Sequence, residues 1–322
     1  MTELLVYRHG HAKRNDVAAD IDRELRDKGK RNAQRIGIWL ARHNKLPDLV
    51  IASPATRARR TAEKTCKTAG LSGDKVKTDE RIYQSGVNEL LEVLRELDGK
   101  YKRVLLVGHN PSLEMLLDYL CWNKVPRRDK GGVLSPASLA CLKLDVSWRK
   151  LEKATAELEQ IIYPQSLPRL FPFPELHDAE TRSRPAYYYQ QSSVIPYRDI
   201  NGKLEIMVIM SSKNKHWVIP KGIHDPGLTA QESAEKEAFE EAGVEGKASK
   251  KELGRYRYPK WDAECEVKVF PMQVSKVIPE VQWQERHRMR QWLSVEKAAA
   301  LIKNPDVQRL VKALPQWLEK HQ

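Results

Sequence analysis

The sequence of 322 residues contains only four cysteines, and no two of them form a C-x-x-C pair. Such wide spacing excludes a disulfide-dense scaffold. No apolar run approaches the roughly 18 residues that a membrane-spanning helix requires. The chain also opens without a basic segment followed by a long apolar stretch, which is the pattern of a signal peptide. These absences predict a cytoplasmic, reducing location and no membrane partner.

Acidic residues are fewer than basic ones: the sequence has 43 Asp and Glu residues and 56 Lys and Arg residues, which gives a net charge of +13. This excess favours anionic partners such as phosphorylated metabolites, phosphoproteins or nucleic acid. The basic residues are dispersed, and no nucleic-acid-binding module is recognisable, so nucleic-acid binding is the less favoured alternative. The 41% hydrophobic and 31% charged content indicates a globular chain, and its length predicts two domains.

Proline marks the boundary between these domains, with four prolines between Tyr163 and Pro174. Such a segment cannot continue a helix or a central strand. We therefore predict domains at residues 1–163 and 187–322, joined by a proline-rich linker at 164–186. Proline-rich linkers are stiff, and nearby phenylalanines are expected to pin this one onto a surface.

The first half alternates apolar runs with helical patterns, which predicts an α/β layered sheet. Strands are predicted at residues 4–8, 49–53, 103–108, 137–144 and 155–163, and helices at 27–43, 56–69, 87–97 and 112–121. Ligands in such sheets bind beyond the carboxyl ends of the strands. The residues that follow Tyr7, Ala52 and Gly108 are therefore candidates for a site.

The second half predicts an α+β domain in which a helix packs against a mixed sheet. Asn201-Gly202 is typical of a hairpin turn between strands at 193–198 and 204–210. Further strand-like runs lie at 217–222, 254–258 and 264–274, and helices are predicted at 229–242, 295–302 and 305–320.

Three carboxylates are crowded on the predicted helix at 229–242. Glu237, Glu240 and Glu241 stand at positions i, i+3 and i+4, which share one helical face. Proteins normally avoid such repulsion unless a hard cation lies between the carboxylates. The pattern predicts a divalent-metal site that handles phosphates.

In register with Gly222, this helix resembles the Nudix box, G-x5-E-x7-R-E-U-x-E-E-x-G-U. The matching positions are Gly222, Glu237, Ala238, Glu240, Glu241, Gly243 and Val244. Two positions depart: Leu228 replaces a glutamate that braces the loop, and Lys236 replaces the arginine and is expected to pair with Glu240.

The Nudix resemblance implies an α/β/α sandwich with a mixed sheet and one or more Mg²⁺ or Mn²⁺ ions that bridge a pyrophosphate and activate water. Glu237, Glu240 and Glu241 would be metal ligands, or one of them the base, and Gly222 would supply a backbone carbonyl. The residues from Trp217 to Gly222 resemble the W-x-x-P-K-G of Nudix enzymes that act on diadenosine polyphosphates and diphosphoinositol phosphates.

The segment from Trp283 to Trp292 resembles the same subgroup. By this resemblance Glu285 would be a further metal-site carboxylate, and Lys221, Arg288 and Arg290 would hold phosphates. The alternative is that the arginines of this segment form a solvated face.

Arg8-His9-Gly10, at the end of the first predicted strand, resembles the signature of the histidine phosphatase superfamily. The segments from Ser53 to Arg57 and from Gly108 to Pro111 resemble its other motifs, and the compact domain most resembles the SixA type. The family implies a three-layer α/β fold in which His9 attacks phosphorus and becomes a phosphohistidine. Arg8, Arg57 and His109 would surround the phosphoryl group, and no metal or other cofactor is expected.

The resemblance does not identify the proton donor of this site. Asp79, Glu80 and Tyr83 are candidates, with Glu80 preferred. The whole chain is then interpreted as a bifunctional phosphate hydrolase, acting on phosphorylated small molecules such as nucleotides or inositol pyrophosphates, and on a phosphohistidine protein in the SixA-like half. The alternative is that one domain, more readily the Nudix-like one because of Leu228, has lost catalysis and senses a ligand.

Overall fold

The computed structural model describes residues 2–14, 19–122, 124–126, 132–173 and 180–321. The chain divides into two compact units. The first contains residues 2–172 and 180–181, and the second contains residue 173 and residues 182–321. No helix in the described part of the chain is both long and apolar enough to span a bilayer.

The first unit is built on a six-stranded sheet with the order β3-β2-β4-β1-β5-β6. Its strands are β1 (Thr2–Arg8), β2 (Leu49–Ala52), β3 (Val76–Thr78), β4 (Arg103–Gly108), β5 (Leu139–Leu144) and β6 (Ala156–Ile162). The helices are α1 (Asp27–Arg42), α2 (Thr56–Thr68), α3 (Val87–Arg95) and α4 (Ser112–Cys121). Strands β1 to β4 are parallel, whereas β5 and β6 pair antiparallel.

Each face of this sheet is covered by its own hydrophobic core, because alternate side chains of a strand point to opposite faces. Leu4 and Val6 of β1 join the core that contains α3 and α4, whereas Leu5 and Tyr7 join the core with α1 and α2. The unit therefore has three layers, as the sequence predicts.

The carboxyl ends of the central strands meet at one edge of the sheet. Arg8 is opposite Gly108 in the register of β1 and β4. The amide of Ser53 donates to the carbonyl of Val107 at 2.9 Å, and that of His9 donates to the carbonyl of Gly108 at 3.1 Å. The residues that follow β1, β2 and β4 are thereby brought to the same edge.

Two short strands follow, β7 (Phe171–Phe173) and β8 (Glu180–Arg182), which pair with each other. The second unit then forms a mixed sheet of eight strands. These are β9 (Gln190–Ile200), β10 (Lys203–Met210), β11 (Trp217–Val218), β12 (Lys221–Ile223), β13 (Val244–Ala248), β14 (Gly254–Lys260), β15 (Ala263–Val277) and β16 (Arg290–Ser294). Strands β9 and β15 are parallel, and the other pairs are antiparallel.

Helices cover this sheet on both faces. The helices are α5 (Ala230–Glu237), α6 (Val295–Leu301) and α7 (Pro305–His321). One core contains residues of α6 and α7, and a separate one contains Ala234, Ala238 and Ala242 from the predicted carboxylate helix. This arrangement is the α/β/α sandwich expected from the sequence.

The carboxylate helix differs from the continuous α-helix predicted at 229–242. The α-helical part ends at Glu237, and the chain continues as a π-helical turn over Ala238–Ala242. Gly243 then stops the helix with a left-handed φ of 61°. Turns of the π type are rare overall, but those that occur are often found at functional sites. This one carries Glu240 and Glu241.

Candidate active sites

In the first unit, four predicted residues come together at the carboxyl edge of the sheet. Arg8 ends β1 and His9 follows it, Arg57 lies in the first turn of α2, and His109 follows β4. The rings of His9 and His109 have centroids 4.9 Å apart. Arg57 is only 5% exposed, so two imidazoles and two guanidinium groups lie in one enclosed place.

His9 is held as a neutral nucleophile. Its Nδ1 lies 2.8 Å from the carbonyl oxygen of Gly10. A carbonyl only accepts, so Nδ1 carries the proton and Nε2 keeps its lone pair. Burial lowers the pKa of His9 to about 3, against the opposing bond to Gly10, and the positive charges of Arg57 and Arg8 add to this effect. The imidazole is therefore uncharged and nucleophilic at neutral pH.

His109 is oriented by the residue that follows β2. Its Nε2 lies 2.8 Å from the hydroxyl of Ser53, which itself accepts from the amide of Ala55 at 3.3 Å. The Ser53 hydroxyl can thus donate its hydrogen to Nε2, and Nδ1 then carries the single N–H of the neutral ring. Burial lowers the pKa of His109 to about 4, with the charge of Arg57 as the next contribution.

Several buried donors of this site lack a protein partner. Among the described residues, the unpaired atoms include Arg8 Nε, Arg57 Nε and His109 Nδ1. Leaving a buried polar group without a partner is costly. Such donors, combined with two guanidinium groups, suit the oxygens of a phosphoryl group, which accepts several charge-assisted hydrogen bonds.

The three candidate proton donors lie in different surroundings. The Asp79 carboxylate is held by Arg81, with Nη2 at 2.8 Å and Nε at 3.1 Å. Glu80 is exposed, and no hydrogen bond or ion pair links its side chain to the cluster within the described part of the chain. Tyr83 does reach the site, because its ring meets that of His109 edge-on at 5.8 Å.

A residue that the sequence analysis missed also reaches this site. Asp20 accepts from Arg57 twice, at its carbonyl oxygen from Nη1 at 2.6 Å and at Oδ2 from Nη2 at 2.8 Å. Tyr83 donates its hydroxyl to the same Oδ2 at 3.0 Å. Asp20 lies in a short 3₁₀ turn, Asp20–Asp22, outside every predicted element, so no periodic pattern or motif indicated it.

In the second unit, the carboxylates gather beside β12. A Cβ added to Gly222 would lie 1.9 Å from Cδ of Glu237, so only glycine leaves room for this carboxylate. The amide of Lys221 donates to Oε2 of Glu241 at 2.9 Å. The register of Gly222 with the helix, predicted from the sequence, is therefore a direct contact in the structure.

Crowding changes the titration of these carboxylates. Burial raises the pKa of Glu237 to about 8, and the charges of Glu241 and Glu240 add to the shift. Burial also raises the pKa of Glu241. Hard oxygen ligands that repel one another are suited to a divalent cation, which removes the repulsion.

The guanidinium group of Arg288 binds carboxylates that such a cation would also bind. Arg288 is 7% exposed and pairs with Glu241 at 2.7 Å and with Glu285 at 2.5 Å. Within the described ranges, no three His, Cys, Asp or Glu side chains are grouped as ligands around one point. The donor set fits a hard cation in its chemistry, and metal binding would require Glu241 and Glu285 to turn away from Arg288.

The three predicted phosphate-binding cations are held by protein groups. Arg290 donates to the carbonyls of Ala242 and Gly243, both at 2.9 Å, and thereby caps the π-helical turn. Lys221 donates through Nζ to the hydroxyl of Tyr258 at 3.0 Å, and burial lowers its pKa to about 8. Phosphate binding by Lys221, Arg288 and Arg290 stays a prediction. The alternative of a solvated arginine face fails for Arg288, which is buried.

Lys236 has a partner that the sequence analysis did not expect. Nζ of Lys236 pairs with Oδ2 of Asp225 at 2.6 Å, and the pair with Glu240 stays a prediction. The amide of Asp225 also donates to the hydroxyl of Ser233 in α5 at 3.0 Å. The loop has Leu228 in place of the family's glutamate. Asp225, three residues earlier in the chain, ties this loop to α5 instead.

A cavity of 380 Å³ adjoins Lys221 in the second unit. Its lining combines aromatic rings, cations and apolar side chains, including Trp217, Tyr256, Tyr258, Lys303 and Ile302. The hydroxyl of Tyr258 donates to Gln191 at 2.8 Å, which fixes the ring beside Lys221. The cavity therefore offers flat apolar surface next to positive charge.

Comparison with known proteins assigns each unit to a family. A model of the histidine phosphatase superfamily (branch 1) matches residues 4–83, and a model of the NUDIX domain matches residues 190–314. Nudix hydrolase 12, mitochondrial, of Arabidopsis thaliana is 29% identical over 150 residues, which are 40% of this chain and 73% of that protein. An uncharacterized protein of Mycobacterium tuberculosis is 28% identical over 155 residues, covering 47% of this chain and 95% of its own.

Among solved structures, a SixA protein from Nakamurella multipartitia is 29% identical, covers 51% of this chain and 96% of its own, and superposes with a TM-score of 0.43. The family matches show that the chain combines a histidine phosphatase domain with a Nudix domain. Both are hydrolase domains, and a Nudix domain implies dependence on a divalent metal.

Proposed function

Since the chain joins a histidine phosphatase domain to a Nudix domain, we propose that it is a bifunctional phosphate hydrolase with two independent chemistries. The first unit removes a phosphoryl group, without a metal, from a phosphohistidine or a small phosphomonoester. The second unit, with Mg²⁺ or Mn²⁺, cleaves a phosphoanhydride bond in a dinucleoside polyphosphate or a related nucleotide. Diphosphoinositol phosphates are the alternative substrate of the second unit, and a cytoplasmic location belongs to the proposal.

The hydrogen bond from Nδ1 of His9 to the carbonyl of Gly10 carries the first activity, because it leaves Nε2 with a lone pair for attack. Nε2 of His9 attacks phosphorus, the bond to the leaving group breaks, and a phosphohistidine forms. Water then attacks this intermediate, which releases phosphate and returns the electron pair to Nε2. Arg8, Arg57 and His109 bind the equatorial oxygens, and their unpaired donors supply charge-assisted hydrogen bonds as negative charge develops.

The second activity rests on the carboxylates beside Gly222. Glu237, Glu240 and Glu241 are the proposed ligands, together with the carbonyl of Gly222 and, once it leaves Arg288, Glu285. A bound divalent ion would polarise the phosphoanhydride and lower the pKa of a water molecule. The raised pKa of Glu237 supports this assignment, because a carboxylate that is destabilised by its neighbours gains from an adjacent cation.

The cavity beside Lys221 favours a nucleotide over an inositol phosphate. Its volume of 380 Å³ is in the usual range for small-molecule sites. The aromatic rings of Trp217 and Tyr258 suit a nucleobase, since stacking and cation–π contacts require a flat π-system. A saturated inositol ring with a phosphate on nearly every carbon would instead require cations around its whole rim.

The test assays the full-length chain on both substrate types. Diadenosine tetraphosphate and a diphosphoinositol phosphate are supplied with Mg²⁺, and p-nitrophenyl phosphate and a phosphohistidine protein are supplied with a chelator. His9→Ala should abolish only the chelator-resistant activity, and Glu237→Gln only the Mg²⁺-dependent one. If His9→Ala left the chelator-resistant activity intact, the assignment of the first site would fail.

A matched variant tests the nucleotide preference separately. Tyr258→Leu should raise KM for diadenosine tetraphosphate while leaving KM for a diphosphoinositol phosphate unchanged. Equal effects on both substrates would show that the cavity does not hold the base.

Loss of catalysis in the Nudix unit is the alternative, since Leu228 departs from the family pattern. The Asp225–Lys236 pair argues against it, because the loop is tied to α5 in another way. A sensor would bind the nucleotide with Mg²⁺ but show turnover that Glu240→Ala leaves unchanged, whereas an enzyme would lose its turnover.

A further inference from the structure

Asp20 approaches the phosphoryl site of the first unit through three contacts. Its carboxylate binds Arg57 at 2.8 Å, Arg23 at 2.8 Å and the hydroxyl of Tyr83 at 3.0 Å. The side chain remains 52% exposed, so it faces both the site and the solvent. Of the candidate carboxylates Asp20, Asp79 and Glu80, Asp20 is the one for which the described residues show a hydrogen bond to a group that would bind the phosphoryl group.

We propose that Asp20 is the general acid of the phosphatase site and gives its proton to the leaving group. This inference rests on the proposed phosphatase function of His9. The carboxylate accepts a hydrogen bond from the guanidinium that would hold the transferring group, which places it beside the position where the leaving atom would lie. Its exposed portion lets it exchange protons with water between turnovers.

The proton balance of the reaction is complete with this residue. In the first step Nε2 of His9 forms a bond to phosphorus, and the electron pair of the breaking bond passes to the leaving atom. That atom takes the proton of the Asp20 carboxylic acid, which becomes a carboxylate. In the second step water attacks the phosphohistidine, Asp20 accepts the proton of this water, and the electron pair of the P–N bond returns to His9.

The charged groups around Asp20 account for its change of protonation. Burial alone would raise the pKa of Asp20, but the hydrogen bonds from Tyr83 and Arg57 and the charges of Arg57 and Arg23 together lower it, and His109 lies close enough to interact with it. A bound phosphoryl group engages Arg57 and adds negative charge. Both changes favour the protonated acid when substrate is present.

Leaving-group dependence distinguishes an acid from a residue that only shapes the site. The experiment compares p-nitrophenyl phosphate, whose leaving group departs without protonation, with phenyl phosphate, whose leaving group is far more basic. Asp20→Asn should lower kcat/KM for phenyl phosphate by about 100-fold or more and for p-nitrophenyl phosphate by only a few-fold. Asp22→Asn is the matched control in the same turn and should leave both substrates unaffected.

Inhibition by inorganic phosphate shows whether the pocket survives the substitution. Asp20→Asn should bind phosphate at least as tightly as the wild type, because a competing carboxylate is removed from Arg57. Equal losses on both substrates, or loss of phosphate binding, would assign Asp20 a structural role and overturn the proposal. A leaving-group-dependent loss in Glu80→Gln with none in Asp20→Asn would also overturn it, whereas full activity of His9→Ala would refute the phosphatase function itself.

Discussion

Removing the charge of Glu237 should stabilise the metal-free second unit at alkaline pH. The pKa of this carboxyl is raised from 4.5 to about 8 in the folded chain. The folded pKa lies above the unfolded one. The contribution of the protonated Glu237 carboxyl to the free energy of unfolding is therefore fully present below about pH 4.5 and is lost as pH rises through about 8. The shift corresponds to roughly 5 kcal/mol as an upper limit. We expect about 2 to 3 kcal/mol, since the carboxylate can turn toward water when it ionises.

Glu237→Gln keeps the shape of the side chain and cannot ionise, so it should retain this stability at about pH 9. The unfolding transition of the second unit is identified as the one that added Mg²⁺ shifts. Calorimetry of the full chain in chelator then follows this transition as a function of pH. Glu245→Gln is the control, because its carboxylate pairs with Lys276 at the surface. Parallel pH profiles for Glu237→Gln and the wild type would refute the reasoning. The same argument predicts that Mg²⁺ binding releases a proton near neutral pH.

Three other substitutions test the contacts around the carboxylates. Gly222→Ala places a Cβ 1.9 Å from the Glu237 carboxyl carbon. It should displace this carboxyl at a cost of no more than about 1 kcal/mol in thermal unfolding and abolish Mg²⁺-dependent turnover, and normal turnover would contradict the contact. Asp225→Asn removes the ion pair with Lys236 and should raise the metal concentration needed for half-maximal rate, whereas an unchanged metal dependence would show that the pair does not support the loop. Arg288→Gln leaves two carboxylates without their cation and should destabilise the metal-free unit by about 3 kcal/mol. Excess Mg²⁺ should recover part of this loss if Glu241 reaches the metal, and an equal loss with and without Mg²⁺ would exclude that role.

The sequence predicts the two folds and both clusters because their determinants are local. Period-two and helical patterns predict the layers, and the glycine-to-helix register predicts that Gly222 and Glu237 belong to one site. What it cannot predict depends on contacts between distant segments. The two bonds of Asp20 to Arg57 span 37 residues and follow no periodicity. The π-helical turn likewise arises from packing, since an ordinary α-helical pattern continues through Glu240.

Short strands form a second group that the sequence did not indicate. Strand β13 (Val244–Ala248) has only two buried side chains, and β3 has none, so neither offers an apolar alternation long enough to predict a strand. They form because a neighbouring strand supplies hydrogen bonds, as β15 does for β13. Pairing of this kind is a property of the sheet, and no pattern within the strand itself reports it.

The two sites bury groups of opposite charge. Around His9 the fold buries donors and positive charge, and around Glu237 it buries acceptors and negative charge. Each arrangement is unfavourable without a ligand of the opposite sign, because like charges repel strongly where water is excluded. A ligand that binds only the folded state stabilises it in proportion to its differential affinity. Phosphate should therefore stabilise the unit that contains His9, and a divalent cation the unit that contains Glu237, so the ligand that relieves the repulsion in each unit is also the one that the proposed chemistry requires.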